Sequence, residues 1–375
     1  SKDTDVAEVS ILLDELPNGE VCDKWYQLTN NNSPTTDIGD IRLQTKFTHE
    51  IVMPPKEYGG LKELLLAKDL ETTQALTEVC SVAERKQLAR ALLQIFRHAG
   101  QEASLLQRFN DLEIESEEQS AQLFRGTSMA TTLMDQYMRM TTPTFLSHAV
   151  GATINKIMES KQSAEVNPVN LESPADAEAN ALYLSSLLNE AVETIFMSTE
   201  HCPVVLRYIF RCLQNKVMAK WPNDNLVKTR AVSGFIFLRL LCPAILQPRS
   251  FNLITETPSN TAARSLKLVA NSMIKLANLV ESKEHHMEAV VNPFIRKNKE
   301  RMVMFLDELS NVPDKPTVPE EPPSADVARH LACVHQIAVA NLAAINRLRQ
   351  SKPHLKKLVT VTDMLTQHKK HYMGL

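Results

Sequence analysis

The most apolar stretch of the chain runs from Phe235 to Leu246, and one charged residue, Arg239, interrupts it. A run without a polar face predicts a helix that is buried on all sides, and Pro243 predicts a stop or kink near its end. Burying an unpaired charge is costly, so we expect Arg239 to bond acceptors on another segment, such as backbone carbonyls. Both a structural arginine that ties two helices together and a functional arginine would fit this pattern.

From about Tyr58 onward, apolar residues recur with the period of an α-helix. Amphipathic helices are predicted at Leu61–Ala67 and Arg85–Phe96, and an acidic turn is predicted over residues 111–118. Loops are predicted over residues 163–176 and over the proline-rich segment 313–323. Further helices are predicted over residues 143–158, 177–197, 203–219, 262–280, 302–309, 327–348 and 355–371.

Residues 1–54 have the period of β-strands instead. Partial alternation at Val6–Leu13, the aromatic run Lys24–Leu28 and strict alternation at Ile41–Phe47 predict three short strands. Three such strands cannot hold a core alone. Their pattern resembles the C-terminal part of a C2 (phospholipid-binding) domain, without recognisable calcium loops. We therefore expect a C2-like remnant with a linker over residues 1–54 and an elongated, all-α domain over residues 55–375.

Composition narrows the class of protein. Only 9 glycines in 375 residues favour helices over sandwiches or barrels, and a net charge of −3 argues against nucleic-acid binding. Six cysteines without a C-x-x-C pair indicate reduced core thiols of a cytosolic protein and no metal site. We find no signal peptide, no apolar run of about 20 residues and no phosphate-binding loop, so neither a membrane span nor a nucleotide site is predicted.

The candidate chemistry is a group of cations at predicted helix ends, which would suit an anionic partner surface. Arg125 stands out because the helical pattern breaks directly after it, where Thr127 or Ser128 can cap the next helix. Gly126 would let another chain approach closely. Taken alone, Arg125 also fits a solvated loop arginine. The group consists of Arg125, Arg230, Arg239, Arg249, Lys297 and Lys299.

Two motifs are specific when taken together: Leu123-Phe-Arg-Gly-Thr-Ser128, followed by Met134-Asp-Gln-Tyr-Met138, and Phe237-Leu-Arg-Leu-Leu-Cys-Pro-Ala-Ile-Leu246. They resemble the Ras GTPase-activating protein family, and Asn292-Pro-Phe-Ile-x-x-Asn-Lys299 matches in the same order. The resemblance runs from about Pro54 to the C terminus. It is closest to the type that carries Src-homology modules ahead of a PH, C2 and GAP array. The chain departs slightly from the family pattern at two positions: Gly126, where the family commonly has alanine, and Gln247, where it frequently has asparagine.

The resemblance implies that Arg125 is an arginine finger, inserted in trans into the nucleotide site of GTP-bound Ras. Its backbone carbonyl would orient the Ras glutamine that positions water. Arg239 would hold the finger loop through backbone carbonyls, and Leu238 would pack on the Ras switch II region. The implied partner-binding residues are Leu123, Phe124, Gly126, Thr127, Arg230, Phe237, Leu238, Asn292, Lys297 and Lys299.

The resemblance also implies a negative regulator of Ras signalling that hydrolyses nothing alone. It would need no cofactor or metal of its own, because GTP and Mg²⁺ belong to Ras in the complex. We expect a cytoplasmic monomer that binds Ras-type small GTPases and is recruited to the plasma membrane through upstream domains. The alternative is a Ras-binding scaffold or adaptor without catalytic effect, against which the presence of Arg125 argues.

Overall fold

The computed structural model describes residues 6–17, 19–30, 38–48, 50–171, 173–317 and 325–374. Contacts between Cα atoms divide the chain into two compact units, Ser1–Met53 and Pro54–Leu375. The proline-rich segment predicted over residues 313–323 lies outside the described residues from 318 onward.

The first unit contains an antiparallel pair of strands, β1 (Val21–Gln27) and β2 (Asp40–Lys46), in a register that places Val21 opposite Lys46. The third strand predicted at the N-terminal end was wrong. The segment from Val6 onward makes one isolated bridge, between Glu8 and Thr29. None of its apolar side chains is fully buried, and Val6 is 73% exposed, so no buried face stabilises a strand there. The resemblance to a C2 domain stays a prediction.

Helices build the second unit, which confirms the all-α prediction for this part of the chain. The helices before the apolar stretch are α1 (Gly59–Leu65), α2 (Glu71–Val79), α3 (Val82–His98), α4 (Glu102–Ser116), α5 (Met129–Thr141), α6 (Pro143–Glu159), α7 (Ala177–Phe196) and α8 (Val204–Lys220). The stretch itself forms α9 (Val227–Ile236), a π-helical turn (Phe237–Leu241) and α10 (Cys242–Leu246). After it come α11 (Asn260–Ala277), α12 (His285–Leu309), α13 (Ala325–Ala340), α14 (Leu342–Ser351) and α15 (Lys356–Tyr372).

Three helical boundaries differ from the prediction because packing outweighs local propensity. α4 continues through most of the acidic segment that reads as a turn, with Ile114 buried near its end. α12 begins well before the predicted start at 302 and contains Pro293, because Phe294 and Ile295 continue its buried face. The single helix predicted over 327–348 is instead bent by 75° between α13 and α14.

The central stretch Val227–Leu246 lies in the core of the second unit, as its apolar pattern predicts. Its helical run of 20 residues is long and apolar enough to cross a membrane. The sequence-based interpretation that the chain has no apolar run of about 20 residues was therefore wrong. In the structure, however, 67% of its most apolar window is buried among other helices. The large side chains Phe235 and Phe237 are fully enclosed. This degree of burial is typical of a core helix.

A fragment that begins at Pro54 is expected to fold on its own. The helical core is closed from its first turn, since Tyr58, Leu61 and Leu65 are each at most 1% exposed. Near-ultraviolet circular dichroism and a cooperative thermal melt would check this, with the whole chain as control. A fragment that is insoluble, or that lacks fixed tertiary structure, would show that residues 1–53 are integral to the helical fold.

Candidate functional site

The site begins at the π-helical turn Phe237–Leu241, which inserts an extra residue into the helical path. Phe237, Leu240 and Leu241 are buried there, whereas Leu238 and Arg239 are only partly covered. A mostly buried stretch therefore presents two adjacent side chains toward the surface at this turn. π-turns inside α-helices occur frequently at functional sites.

The guanidinium of Arg239 finds the acceptors that its burial requires. Its Nη2 donates to the carbonyl oxygens of Phe124 and Gly126, each at 2.9 Å. Its Nη1 donates at 2.9 Å to Oδ2 of Asp135 on α5. With 22% of the side chain exposed, these are charge-assisted bonds in a partly dry setting. One arginine thus fixes the backbone on both sides of Arg125.

Phe124 has a left-handed backbone, with φ at +57°, which is unfavourable for a residue with a side chain. Two contacts hold it there. Its ring packs on Phe235 with centroids 4.8 Å apart, and its carbonyl accepts from Arg239. A strained residue that is so over-determined is typical of a preorganised loop.

Ser128 ends the loop by capping α5. Its Oγ accepts from the N–H of Thr131 at 3.1 Å, and the Thr131 hydroxyl accepts from the N–H of Ser128 at 2.9 Å. Of the two residues that the sequence offers as caps, Ser128 makes the bond and Thr127 stays exposed. The Ser128 hydroxyl also donates to Glu113. We call residues 123–127 the finger loop. Arg239 bonds its backbone, and Glu113 of α4 bonds Ser128 at its end.

Two carboxylates next to the finger loop, those of Glu113 and Asp135, have raised pKa values. Burial raises the pKa of Glu113, although the hydrogen bonds from Ser128 and Phe124 and the nearby charge of Arg239 partly offset this. Burial likewise raises the pKa of Asp135 against the lowering influence of Arg239. Oδ1 of Asp135 is buried without a hydrogen-bond partner. The positive charge of Arg239 therefore offsets part of the desolvation cost of both carboxylates, Glu113 and Asp135.

Arg125 itself stands at the exposed apex of the finger loop. Its N–H closes a turn on the Gln122 carbonyl at 3.1 Å, and its Nε lies a long 3.4 Å from the Ala121 carbonyl. No heavy atom lies within 4 Å of where a Cβ on Gly126 would be, so the free loop does not require glycine there. The guanidinium is presented on fixed backbone with its donors largely available.

A cleft of about 370 Å³ opens beside the finger loop, between it and α9. It brings together six of the residues that the sequence singles out: Leu123, Phe124, Arg125, Arg230, Leu238 and Arg239. Its other lining residues are Ser120, Ala121, Val227, Ala231 and Gly234.

The other three predicted cations lie elsewhere. Lys297 lines a separate groove between α7 and α12, and Lys299 lies 4.0 Å from the Glu281 carboxylate. Arg249 donates to the Thr257 hydroxyl at 2.8 Å. The structure does not bring these cations into the cleft beside Arg125.

Burial corrects two of the predicted partner contacts. Phe237 is fully buried, with its ring edge-on to Phe305, because the π-turn directs it into the core. Asn292 is 7% exposed, and its amide bonds both the N–H of Ser282, at 2.7 Å, and its carbonyl, at 3.1 Å. Neither side chain is placed to touch a partner directly. Asn292 instead fixes the turn before α12.

Sequence reasoning missed Glu113 and Asp135 as members of the site. Asp135 lies within the Met134–Met138 motif, so its position was a usable signal. Glu113 was hidden in an acidic segment that reads as a solvated turn. Among the described residues, no group of three or more His, Cys, Asp or Glu side chains is arranged to hold a metal ion.

Comparison with known proteins agrees with this geometry. The family model for a GTPase-activator protein for Ras-like GTPase matches residues 105–179 and 172–278, which include both Arg125 and Arg239. Ras GTPase-activating protein 1 of Rattus norvegicus is 47% identical over 380 residues, covering 99% of this chain and 36% of that protein. The chain belongs to the Ras GTPase-activating protein family.

Other members of the Ras GTPase-activating protein family match more distantly. The probable Ras GTPase-activating-like protein ngap of Dictyostelium discoideum is 36% identical over 325 residues, covering 86% of this chain and 36% of that protein. The chain thus spans about a third of the length of these relatives. The matches confirm the family that the two motifs indicate.

Proposed function

We propose that this protein accelerates GTP hydrolysis by Ras-type small GTPases in their GTP-bound form, with Arg125 as an arginine finger supplied in trans. Phosphoryl transfer spreads negative charge over the transferred group and the leaving oxygen. A guanidinium offers a permanent charge and five donors in a rigid fork to meet that charge. GTP and Mg²⁺ belong to the partner in this proposal, and the protein hydrolyses nothing alone.

The observation that supports this most strongly is the pair of bonds from Arg239 to the carbonyls on either side of Arg125. A solvated loop arginine has no need of fixed backbone. An arginine that must meet developing charge gains from it, because a placed donor needs no reorganisation during the reaction. In this proposal Arg239 is the positioning residue of the finger, so one residue would serve both roles that the sequence leaves open, the structural and the functional.

The cleft beside the finger loop would receive the partner's switch region. Leu238 offers an apolar contact there, and Arg230 adds a positive charge at the rim. Lys297 and Lys299, outside the cleft, would act through longer-range attraction for an anionic partner surface. The cytoplasmic location, recruitment to the plasma membrane and monomeric state expected from the sequence belong to the same proposal.

Single-turnover hydrolysis of GTP-loaded Ras, measured with and without excess protein, tests the proposal. Arginine fingers accelerate this reaction by about 10³–10⁵-fold, a range known from Ras and its activators rather than calculated from this geometry. Binding to Ras·GTP without acceleration would support the scaffold alternative, and neither binding nor acceleration would refute both.

Leu238→Asp is expected to weaken binding to GTP-loaded Ras by at least about tenfold, because a carboxylate would replace the apolar contact in the cleft. Leu238 is only partly buried, so the folded protein can solvate the new charge and its melting temperature should fall little. A binding titration beside a thermal melt measures both. Leu240→Asp, two residues further along the same π-helical turn at a fully buried site, is the control that should instead unfold the protein. Equal losses of affinity and stability for Leu238→Asp would contradict its placement toward the partner.

A further inference from the structure

The segment that leads into the finger loop is held by a second set of contacts, which none of the predicted residues makes. Lys220, the last residue of α8, directs its ammonium at the end of α4. It donates to the carbonyls of Ile114, at 2.6 Å, and Glu115, at 2.9 Å, and also to the carbonyl of Glu117. Three donors thus meet three backbone acceptors. A cation at a helix C terminus is also favoured by the helix dipole.

The turn that follows α8 continues these contacts toward the finger loop. The indole Nε1 of Trp221 lies 3.4 Å from the Glu118 carbonyl, and the Ser120 hydroxyl donates to Oδ2 of Asp224 at 2.7 Å. The bond from Ser120 is the largest cause that lowers the pKa of Asp224. Asp224 also lies 3.7 Å from Arg230 at the cleft. Contacts therefore follow one another along the chain from residue 114 to residue 120.

We propose that Lys220 and Asp224 are positioning residues for Arg125 that fix the upstream end of the finger loop as Arg239 fixes its two central carbonyls. This inference rests on the proposed function. Between Ser120 and Phe124 the chain makes only a short 3-10 turn, so the direction in which Arg125 leaves the loop depends on both anchors. Without the upstream anchor, the stretch between Ser120 and Phe124 could shift even while Arg239 holds the carbonyls of Phe124 and Gly126.

The distances support a positioning role beyond the capping of α4. Capping needs only the carbonyls of the last helical turn, but Lys220 also reaches Glu117, which lies past the end of α4. Ser120 and Asp224 lie 104 residues apart in sequence, so their bond joins the connection to the turn before α9, where Asp224 also accepts from the N–H of Leu226 at 3.0 Å. Both interactions act on the connection itself.

The experiment compares Lys220→Met with Lys216→Met in single-turnover hydrolysis by GTP-loaded Ras at saturating protein. Lys216 lies one turn earlier on α8 and bonds only the side chain of Glu115, at 2.6 Å, so its loss removes a tie between α8 and α4 without touching the connection. Lys220→Met should slow the saturated rate by about 10- to 100-fold, as expected for a displaced catalytic group, with affinity changed less than about threefold. Lys216→Met should stay within about twofold of the unsubstituted rate.

Two further variants keep the inference open to refutation. Ser120→Ala removes one bond from a partly exposed site and should slow the saturated rate by about threefold or more without loss of folding. In an Arg125→Ala background, Lys220→Met should cause no further loss, because there is no guanidinium left to position.

Failure of the inference and failure of the proposed function give different results. An unsubstituted protein that accelerates hydrolysis, with Lys220→Met and Ser120→Ala equal to it, would overturn the inference alone. A further loss from Lys220→Met in the Arg125→Ala background would also overturn it, since the lysine would then act on overall structure. No acceleration by the unsubstituted protein would overturn both.

Discussion

Arg125→Ala is expected to lower the saturated single-turnover rate of hydrolysis by Ras·GTP by about 10³-fold and to leave binding within a few fold. The charge that Arg125 meets develops only in the transition state, so its loss does little to the ground-state complex. Its side chain is exposed and makes one long contact to its own loop, so the melting temperature should not fall.

Two companion variants sharpen this result. Arg125→Lys should recover little of the rate, since an ammonium is a point charge without the planar fork of a guanidinium. Arg347→Ala removes another exposed arginine, on α14 and outside the cleft, and should leave rate and affinity unchanged. If Arg125→Ala lost affinity as strongly as rate, Arg125 would be a binding residue, as in the scaffold alternative.

Arg239→Ala is expected to lower the same rate by about 10²-fold through a different route, namely release of the finger loop. Unlike the loss of Arg125, it should also lower the free energy of unfolding by roughly 1–3 kcal/mol. The carbonyl of Phe124 loses its donor, that of Gly126 keeps only the Thr131 hydroxyl at 3.3 Å, and Asp135 loses the partner of its hydrogen-bonded oxygen. Thermal melts beside hydrolysis rates separate the two arginines.

The stability loss in Arg239→Ala should depend on pH. Burial already raises the pKa of Asp135, and removing the arginine that lowers it raises that pKa further. A carboxyl group with a raised pKa is most favourable below the ordinary value of about 4 and loses this contribution as pH rises through the raised value. The deficit relative to the unsubstituted protein should therefore grow from about pH 4 to pH 7. A deficit that stays constant or shrinks over this range would contradict this account of Asp135.

Much of this site could be predicted because the sequence alone shows that Arg239 is a charged residue in an apolar run. A lone cation in an apolar helix needs acceptors, and the motif around Arg125 supplies candidates for them. The family resemblance then links the two segments, 114 positions apart, which no periodicity could pair. The all-α class follows from the helical period after Tyr58 and from the scarcity of glycine.

What could not be predicted depends on tertiary packing. A π-turn has no clear signature in an apolar run, so the sequence could not show that Phe237 points inward while its neighbours Leu238 and Arg239 reach the surface. The left-handed backbone of Phe124 is held by tertiary contacts with Phe235 and Arg239, which no local pattern reveals. The match of the Asn292–Lys299 motif to the family likewise gave no indication that the Asn292 side chain is buried.

The central claim, that Arg239 acts on hydrolysis through Arg125, is tested most directly by a double-mutant cycle. Four saturated single-turnover rates are measured with GTP-loaded Ras: unsubstituted protein, Arg125→Ala, Arg239→Ala and the double variant. If the full acceleration is about 10⁵-fold, Arg125→Ala retains about 10²-fold over intrinsic hydrolysis, which leaves room to detect a further loss. The account predicts that the double variant retains nearly the same acceleration as Arg125→Ala, because a well-placed loop has no effect without its guanidinium. Losses that multiply, bringing the double variant down to the intrinsic rate of Ras, would contradict it.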